Sequence, residues 1–180
     1  MTKQTFVLER IRTPTGPMLL VTDHEHRLRA VNWEDHEERM RRMLQRHHGR
    51  DTLELRHTTH SSMARRSLEA YFEGDIDAIT GALTATSGTT FQRKVWKALC
   101  EISAGRPISY GVLAARIGKP KAVRAVGLAI GANPIAIFVP CHRVVGADNS
   151  LTGYGGGLDR KRWLLQHEGV GENMFTAQHG

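Results

Sequence analysis

Five consecutive apolar residues, Ile135-Ala136-Ile137-Phe138-Val139, run into Pro140-Cys141-His142-Arg143. Gly131-Ala132-Asn133-Pro134 turns the chain into this run, and a short apolar stretch bounded by turn signals reads as a buried strand. The strand would end on a thiol beside an imidazole and a guanidinium. Thiolate is the reactive form of cysteine, and nearby positive charge lowers the thiol pKa, so the setting suits a nucleophile. It also suits a small core residue, because free cysteine is among the most buried types.

The remaining composition narrows the choice. A chain of 180 residues can hold one large domain or two small ones with real cores. Two cysteines, Cys100 and Cys141, are too few for a disulfide framework and fit a reducing compartment. No signal peptide or long apolar span is evident, so the expected location is cytoplasmic, with no membrane partner. Residues 1–85 carry 13 Lys and Arg against 13 Asp and Glu, whereas residues 86–180 carry 12 against 5. The whole excess of +7 therefore lies in the half that holds Cys141. One-sided basic charge points to a polyanion, most plainly nucleic acid.

The amino-terminal half alternates as strands do from Phe6 to Ile11, breaks at Thr13-Pro14-Thr15-Gly16-Pro17, and resumes at Met18–Val21 and Leu28–Trp33. This predicts an antiparallel meander. Glu34 to His48 reads as a helix, acidic first and basic last, with Gly49 as its stop. Leu53–His57 is a further strand, and Ser61 or Ser62 caps a helix over Met63–Phe72. Seven of the ten histidines fall here, without cysteine and without a carboxylate-backed helical pair, so they read as solvated and no metal site is expected.

Thr84-Ala85-Thr86-Ser87-Gly88 is small and uncharged and reads as a linker. The expected domains are 1–85, a supporting α/β domain, and 86–170, with 171–180 a flexible tail. Thr89 and Gln92 form a capping box that opens a helix bearing Phe91, Val95, Leu99 and Ile102 on one face. A helix over Tyr110–Ile117, capped by Ser109, and another over Lys121–Ile130 are joined by Gly118-Lys119-Pro120, a helix-turn-helix pattern. At 100° per residue, Val123, Val126 and Ile130 face the core, and Lys121, Arg124, Ala125, Leu128 and Ala129 face outward. That outward face carries mostly small residues and one arginine, which suits close approach to a shallow groove better than sequence readout. Val144-Val145 and Leu151-Thr152 would form a hairpin placed as a wing. Gly153-Tyr154-Gly155-Gly156-Gly157 is a loop before a last helix, Leu158–His167. The fold class is α+β.

A reaction in which Cys141 attacks something on DNA unites a thiol with a helix-turn-helix. Chemistry on a base requires taking it out of the stack. Pro140-Cys141-His142-Arg143-Val144-Val145 resembles the active-site signature of the O6-alkylguanine-DNA alkyltransferases. Phe91-Gln92-Arg93-Lys94-Val95-Trp96, Ile108-Ser109-Tyr110-Gly111, Arg124-Ala125-Val126-Gly127, Gly131-Ala132-Asn133-Pro134, Gly153-Tyr154 and Trp163-Leu164-Leu165 through His167-Glu168-Gly169 follow in that family's order. The opening meander resembles the bacterial constitutive branch. The resemblance implies a ribonuclease-H-like amino-terminal domain and a winged-helix-like second domain. It implies double-stranded DNA containing alkylated bases as partner, no cofactor, and a monomer that can bind DNA cooperatively.

The same resemblance implies that Cys141 accepts the alkyl group irreversibly, once per chain, and that His142 removes the thiol proton through a water while Glu168 orients the imidazole. Tyr110 would donate to the flipped base. Arg124 would fill the gap in the stack, with Lys121, Ala125 and Ala129 against the DNA. Asn133 would brace the active-site turn, and Tyr154, Gly155 and Gly156 would line the pocket, with Arg143 and Ala136 beside it. Some relatives carry serine at the position of Gly155 and proline at that of Ala136. A roomier pocket follows, open to larger alkyl groups or O4-alkylthymine. The rival readings are a damage-binding or regulatory helix-turn-helix protein without chemistry, and a cysteine hydrolase.

Overall fold

The computed structural model describes residues 2–175. These residues form a mixed α/β structure in two compact units, the first running through Ser87 and taking in Pro134–Phe138, the second Gly88–Asn133 and Val139 onward. The outermost tail residues, 176–180, lie outside the described residues.

In the first unit, β1 (Gln4–Ile11), β2 (Met18–Thr22) and β3 (Leu28–Trp33) form the expected antiparallel meander, with Leu8 opposite Val21 and Leu20 opposite Val31. The predicted single helix from Glu34 divides: Glu34–His36 is a 3-10 turn, and α1 follows as Glu37–His48. Strand β4 (Leu53–His57) then pairs parallel to β1, giving the order β3-β2-β1-β4. A parallel edge strand needs a crossover, and α1 supplies it. Its Met40 and Leu44 join Phe6, Leu8, Leu19, Val21 and Ala30 in one buried cluster. On β1, Glu9 points to the other face. It is fully buried and accepts from both the amide (2.9 Å) and the hydroxyl (2.5 Å) of Ser62. Ser62 in turn caps α2 (Met63–Phe72), so one carboxylate ties that helix start to the sheet.

The second unit opens with the predicted capping box. Thr89 Oγ1 accepts from Gln92 N at 3.1 Å, and the Gln92 side chain accepts from Thr89 N at 2.9 Å, starting α3 (Thr90–Cys100). Cys100 is the last residue of this helix and is exposed. Strand β5 (Ile108–Ser109) leads into α4 (Tyr110–Arg116), and α5 spans Val123–Gly131. Lys121 therefore precedes the helix that was expected to contain it. Trp96 Nε1 donates to Ala129 O at 2.8 Å and joins α3 to α5.

The expected wing hairpin is replaced by another pairing. β6 (Val144–Val145) runs parallel to β5, while Gly146 N to Ser150 O closes a separate turn. Helix α6 (Leu158–His167) follows. Val170 is buried with Val145, Leu151 and Leu165, and within the stretch expected as a flexible tail Glu172–Met174 forms a 3-10 turn. Among the described residues, no helix is long and apolar enough to cross a membrane. None of their His, Cys, Asp and Glu side chains gather in threes that could hold a metal ion.

Candidate active site

The run Ile135–Val139 is buried throughout, as its composition requires, but it is not a strand. Ile135 makes one isolated bridge to Val31, and Phe138 N then donates to Ala136 O at 2.8 Å across Ile137, whose φ is 70°. A β-branched residue in that region is strained by about 1–3 kcal/mol. Burial of five apolar residues fixed the pattern, and turning rather than pairing satisfies the backbone. Ala136 belongs to the first unit, where its N–H donates to Val31 O. A second tight turn brings in the thiol: Pro140 has φ −82° and ψ 68°, and Cys141 N donates to Val139 O at 2.8 Å. These are the angles of an inverse γ-turn. Cys141–Arg143 continues as a 3-10 turn. Cys141 therefore sits on a folded corner, not at a strand end.

Asn133 holds that corner, its Nδ2 donating to Val139 O at 2.8 Å. Burial pushes the Cys141 thiol above its ordinary value. A hydrogen bond from Asn133, the charge of Lys161 and a hydrogen bond with Tyr154 act the other way without overcoming it. The sequence pointed instead to the adjacent imidazole and guanidinium as the source of a lowered thiol pKa. Arg143 is committed elsewhere. Its Nε and Nη2 fork onto the two oxygens of Glu168, both at 2.9 Å, and its Nη1 reaches Ile102 O at 2.7 Å.

Glu168 also receives His142 Nε2 at 2.8 Å, with both side chains fully buried. Burial alone would raise this carboxyl. The charge and hydrogen bond of His142, followed by those of Arg143, outweigh it and hold the pKa at about 2. An ionised carboxylate can only accept, so Nε2 carries the proton of this hydrogen bond, and the lone pair of the neutral ring form lies on Nδ1. That Nδ1 is buried and has no hydrogen-bond partner in the protein. A buried imidazole nitrogen with a free lone pair is a base.

Tyr110 starts α4, and its hydroxyl donates to Thr152 O at 3.2 Å. The same carbonyl receives Lys161 Nζ at 2.9 Å. Lys161 is a buried cation near the thiol that sequence reading missed. It is fully buried on α6, where burial lowers its pKa from 10.5 to about 8 against the opposing pull of Cys141. Its spacing from Leu158, Leu164 and Leu165 placed it on the apolar stripe of that helix, which was the available signal. In the loop before α6, Gly156 O accepts from Arg160 at 3.3 Å, and Gly155 is exposed. On α5, Arg124, Ala125 and Leu128 are exposed, as is Lys121 ahead of it. Ala129, expected to face outward, is buried because its turn packs on Trp96. Val123, expected in the core, is 40% exposed.

Residues 90–170 match the family model for the 6-O-methylguanine DNA methyltransferase DNA-binding domain. A Salmonella typhimurium protein named methylated-DNA–protein-cysteine methyltransferase is 49% identical over 161 residues, covering 89% of this chain and 94% of its own. The chain belongs to the methylated-DNA–protein-cysteine methyltransferase family. A family member from Haemophilus influenzae is 40% identical over 88% of this chain and 83% of its own. Mycobacterium tuberculosis OGT, solved in complex with DNA, is 39% identical with a TM-score of 0.72, over 95% of this chain and 96% of that one. The family match covers the unit that brings together Tyr110, Asn133, Cys141, His142, Arg143, Tyr154, Lys161 and Glu168.

Proposed function

We propose that this protein repairs DNA directly, by moving an alkyl group from O6-alkylguanine in double-stranded DNA onto Cys141. The observation that carries the reading is the His142–Glu168 pair, which leaves a buried basic nitrogen next in sequence to a buried thiol. In this reading the thiol proton passes through a water to His142 Nδ1. The sulfur then forms a bond to the alkyl carbon as the bond from that carbon to O6 breaks. The electron pair leaves with the guanine, and the Tyr110 hydroxyl, released from Thr152 O, donates to the departing base. Lys161 steadies the charge that develops on sulfur. The base reaches the site by extrusion from the duplex, with Arg124 filling the gap and Lys121 and Ala125 against the backbone. Tyr154, Gly155 and Gly156 line the pocket, and the bare Gly155 leaves room for larger alkyl groups and for O4-alkylthymine.

A thioether is not reversed by thiol exchange, so each chain acts once and needs no cofactor. The first unit is a supporting domain of ribonuclease-H-like fold and the second a helix-turn-helix domain, in a monomeric cytoplasmic protein. Incubation with duplex DNA carrying labelled O6-methylguanine tests the proposal. Label should move to protein at about one methyl per chain and should not move in Cys141→Ala. Tight binding without transfer, or repeated turnover, overturns it in favour of a damage marker or a hydrolase.

A further inference from the structure

Among the described residues, six large hydrophobic side chains are exposed, and three of them, Val112, Val123 and Leu128, lie on α4 and α5. Leu128 is 73% exposed. A single exposed leucine is ordinary on a protein surface. Its position is not. At 100° per residue Leu128 lies about 40° around α5 from Arg124, so the two share the middle of the exposed arc. Lys121, Arg116 and Lys119 stand exposed around the helix pair. The chain has no Asp or Glu between Glu101 and Asp148. An apolar centre in a wholly basic rim complements DNA: cations meet phosphates, and an apolar side chain meets the C–H edges of sugars and the faces of opened base steps.

We infer that Leu128 is an apolar wedge working beside Arg124 in the minor groove; this rests on the duplex-repair reading above. Four residues along a helix rise about 6 Å, against about 3.4 Å for each base step. Leu128 therefore meets the groove one to two steps from the nucleotide that Arg124 replaces. There it displaces water from the groove floor and holds the groove open while the base is out. Arg124 alone supplies charge and a hydrogen-bonding fork, which water can also satisfy. Leu128 supplies the part of the contact that water cannot replace. The outward surface of α5 is thus not uniformly small, and its most exposed apolar residue sits where extrusion needs support.

The test measures label transfer from O6-methylguanine in a duplex and alkyl transfer from free O6-benzylguanine, in wild type, Leu128→Ala and Leu128→Met. Leu128→Ala should slow duplex repair about tenfold and leave the free-base rate unchanged. Leu128→Met, apolar and adaptable, should return the duplex rate to within about twofold. For undamaged duplex, the slope of log affinity against log salt should match wild type in Leu128→Ala, because no charge is lost, and should become shallower in Arg124→Ala. Equal duplex rates in wild type and Leu128→Ala overturn the wedge, and so does an equal loss on duplex and free base. Failure of wild type to transfer label from either substrate would instead remove the repair reading itself.

Discussion

Replacing Lys161 with methionine separates stability from chemistry at this site. The ammonium is fully buried and has Thr152 O as its hydrogen-bond acceptor at 2.9 Å. Burial lowers its pKa from 10.5 to about 8. At about 1.4 kcal/mol for each pH unit, keeping it charged in the folded protein at pH 7 costs on the order of 3 kcal/mol. The sign follows from proton counting. Between pH 8 and 10.5 the unfolded chain binds more protons than the folded one, so wild-type stability rises with pH through that window and carries the full penalty below it. Lys161→Met removes the penalty and also a hydrogen bond worth about 1 kcal/mol. The variant should be about 1–2 kcal/mol more stable at pH 7, with the gap closing toward pH 10.5. Its transfer rate at pH 7 should fall about tenfold, because the thiol loses the one side-chain charge that favours its ionised form. Urea unfolding at pH 7 and pH 10 and transfer rates across the same range read both effects. A less stable variant with a wild-type pH–rate profile would refute the reasoning.

The Glu168 carboxyl is held at about 2 against an ordinary 4.5. Its stabilisation, of order 3 kcal/mol, is complete above pH 4.5 and lost as pH falls toward 2. Glu168→Gln should flatten that part of the stability–pH curve and slow transfer about a hundredfold by unpinning the His142 tautomer; an unchanged curve would count against the triad. Gly105 has φ 76°, and a Cβ there would lie 2.9 Å from Glu168 O. Gly105→Ala should cost about 1–3 kcal/mol in chemical denaturation and reduce transfer by shifting Glu168, whereas full activity would show that the carboxylate tolerates the shift. Thr89→Ala removes the capping box and should cost about 1 kcal/mol with no change in transfer per folded molecule; a slower reaction would mean that α3 does more than pack.

What could be read in advance followed rules of short range. Thr89 and Gln92 three residues apart, Ser62 before Met63, and the alternation in β1 to β3 are local signals, and they placed helix starts and strand pairing correctly. The errors came where tertiary contacts decide. An apolar run predicts burial but not backbone shape, so Ile135–Val139 was expected as a strand although two tight turns shape it. A helical wheel treats a helix as standing alone, so Ala129 was placed outward although Trp96 covers it. Lys161 was passed over because lysine is almost never fully buried without a partner.

The same distinction governs the thiol. Neighbours in sequence suggested a cysteine activated by adjacent positive charge, yet Arg143 and His142 both turn toward Glu168. Burial keeps Cys141 protonated in the resting protein. For a catalyst that turns over, this would simply be slower. For a protein that spends its one thiol in one reaction, a standing thiolate is a liability, since thiolates are the form that oxidants and stray electrophiles attack. On the proposed chemistry, the free lone pair of His142 Nδ1 meets the opposite need: it takes the proton when an alkyl carbon is in place to receive the sulfur. Glu168 then holds the resulting imidazolium as it already holds Arg143. The arrangement separates when the sulfur becomes reactive from whether it can react, and a buried neutral thiol beside a poised base is what that separation requires.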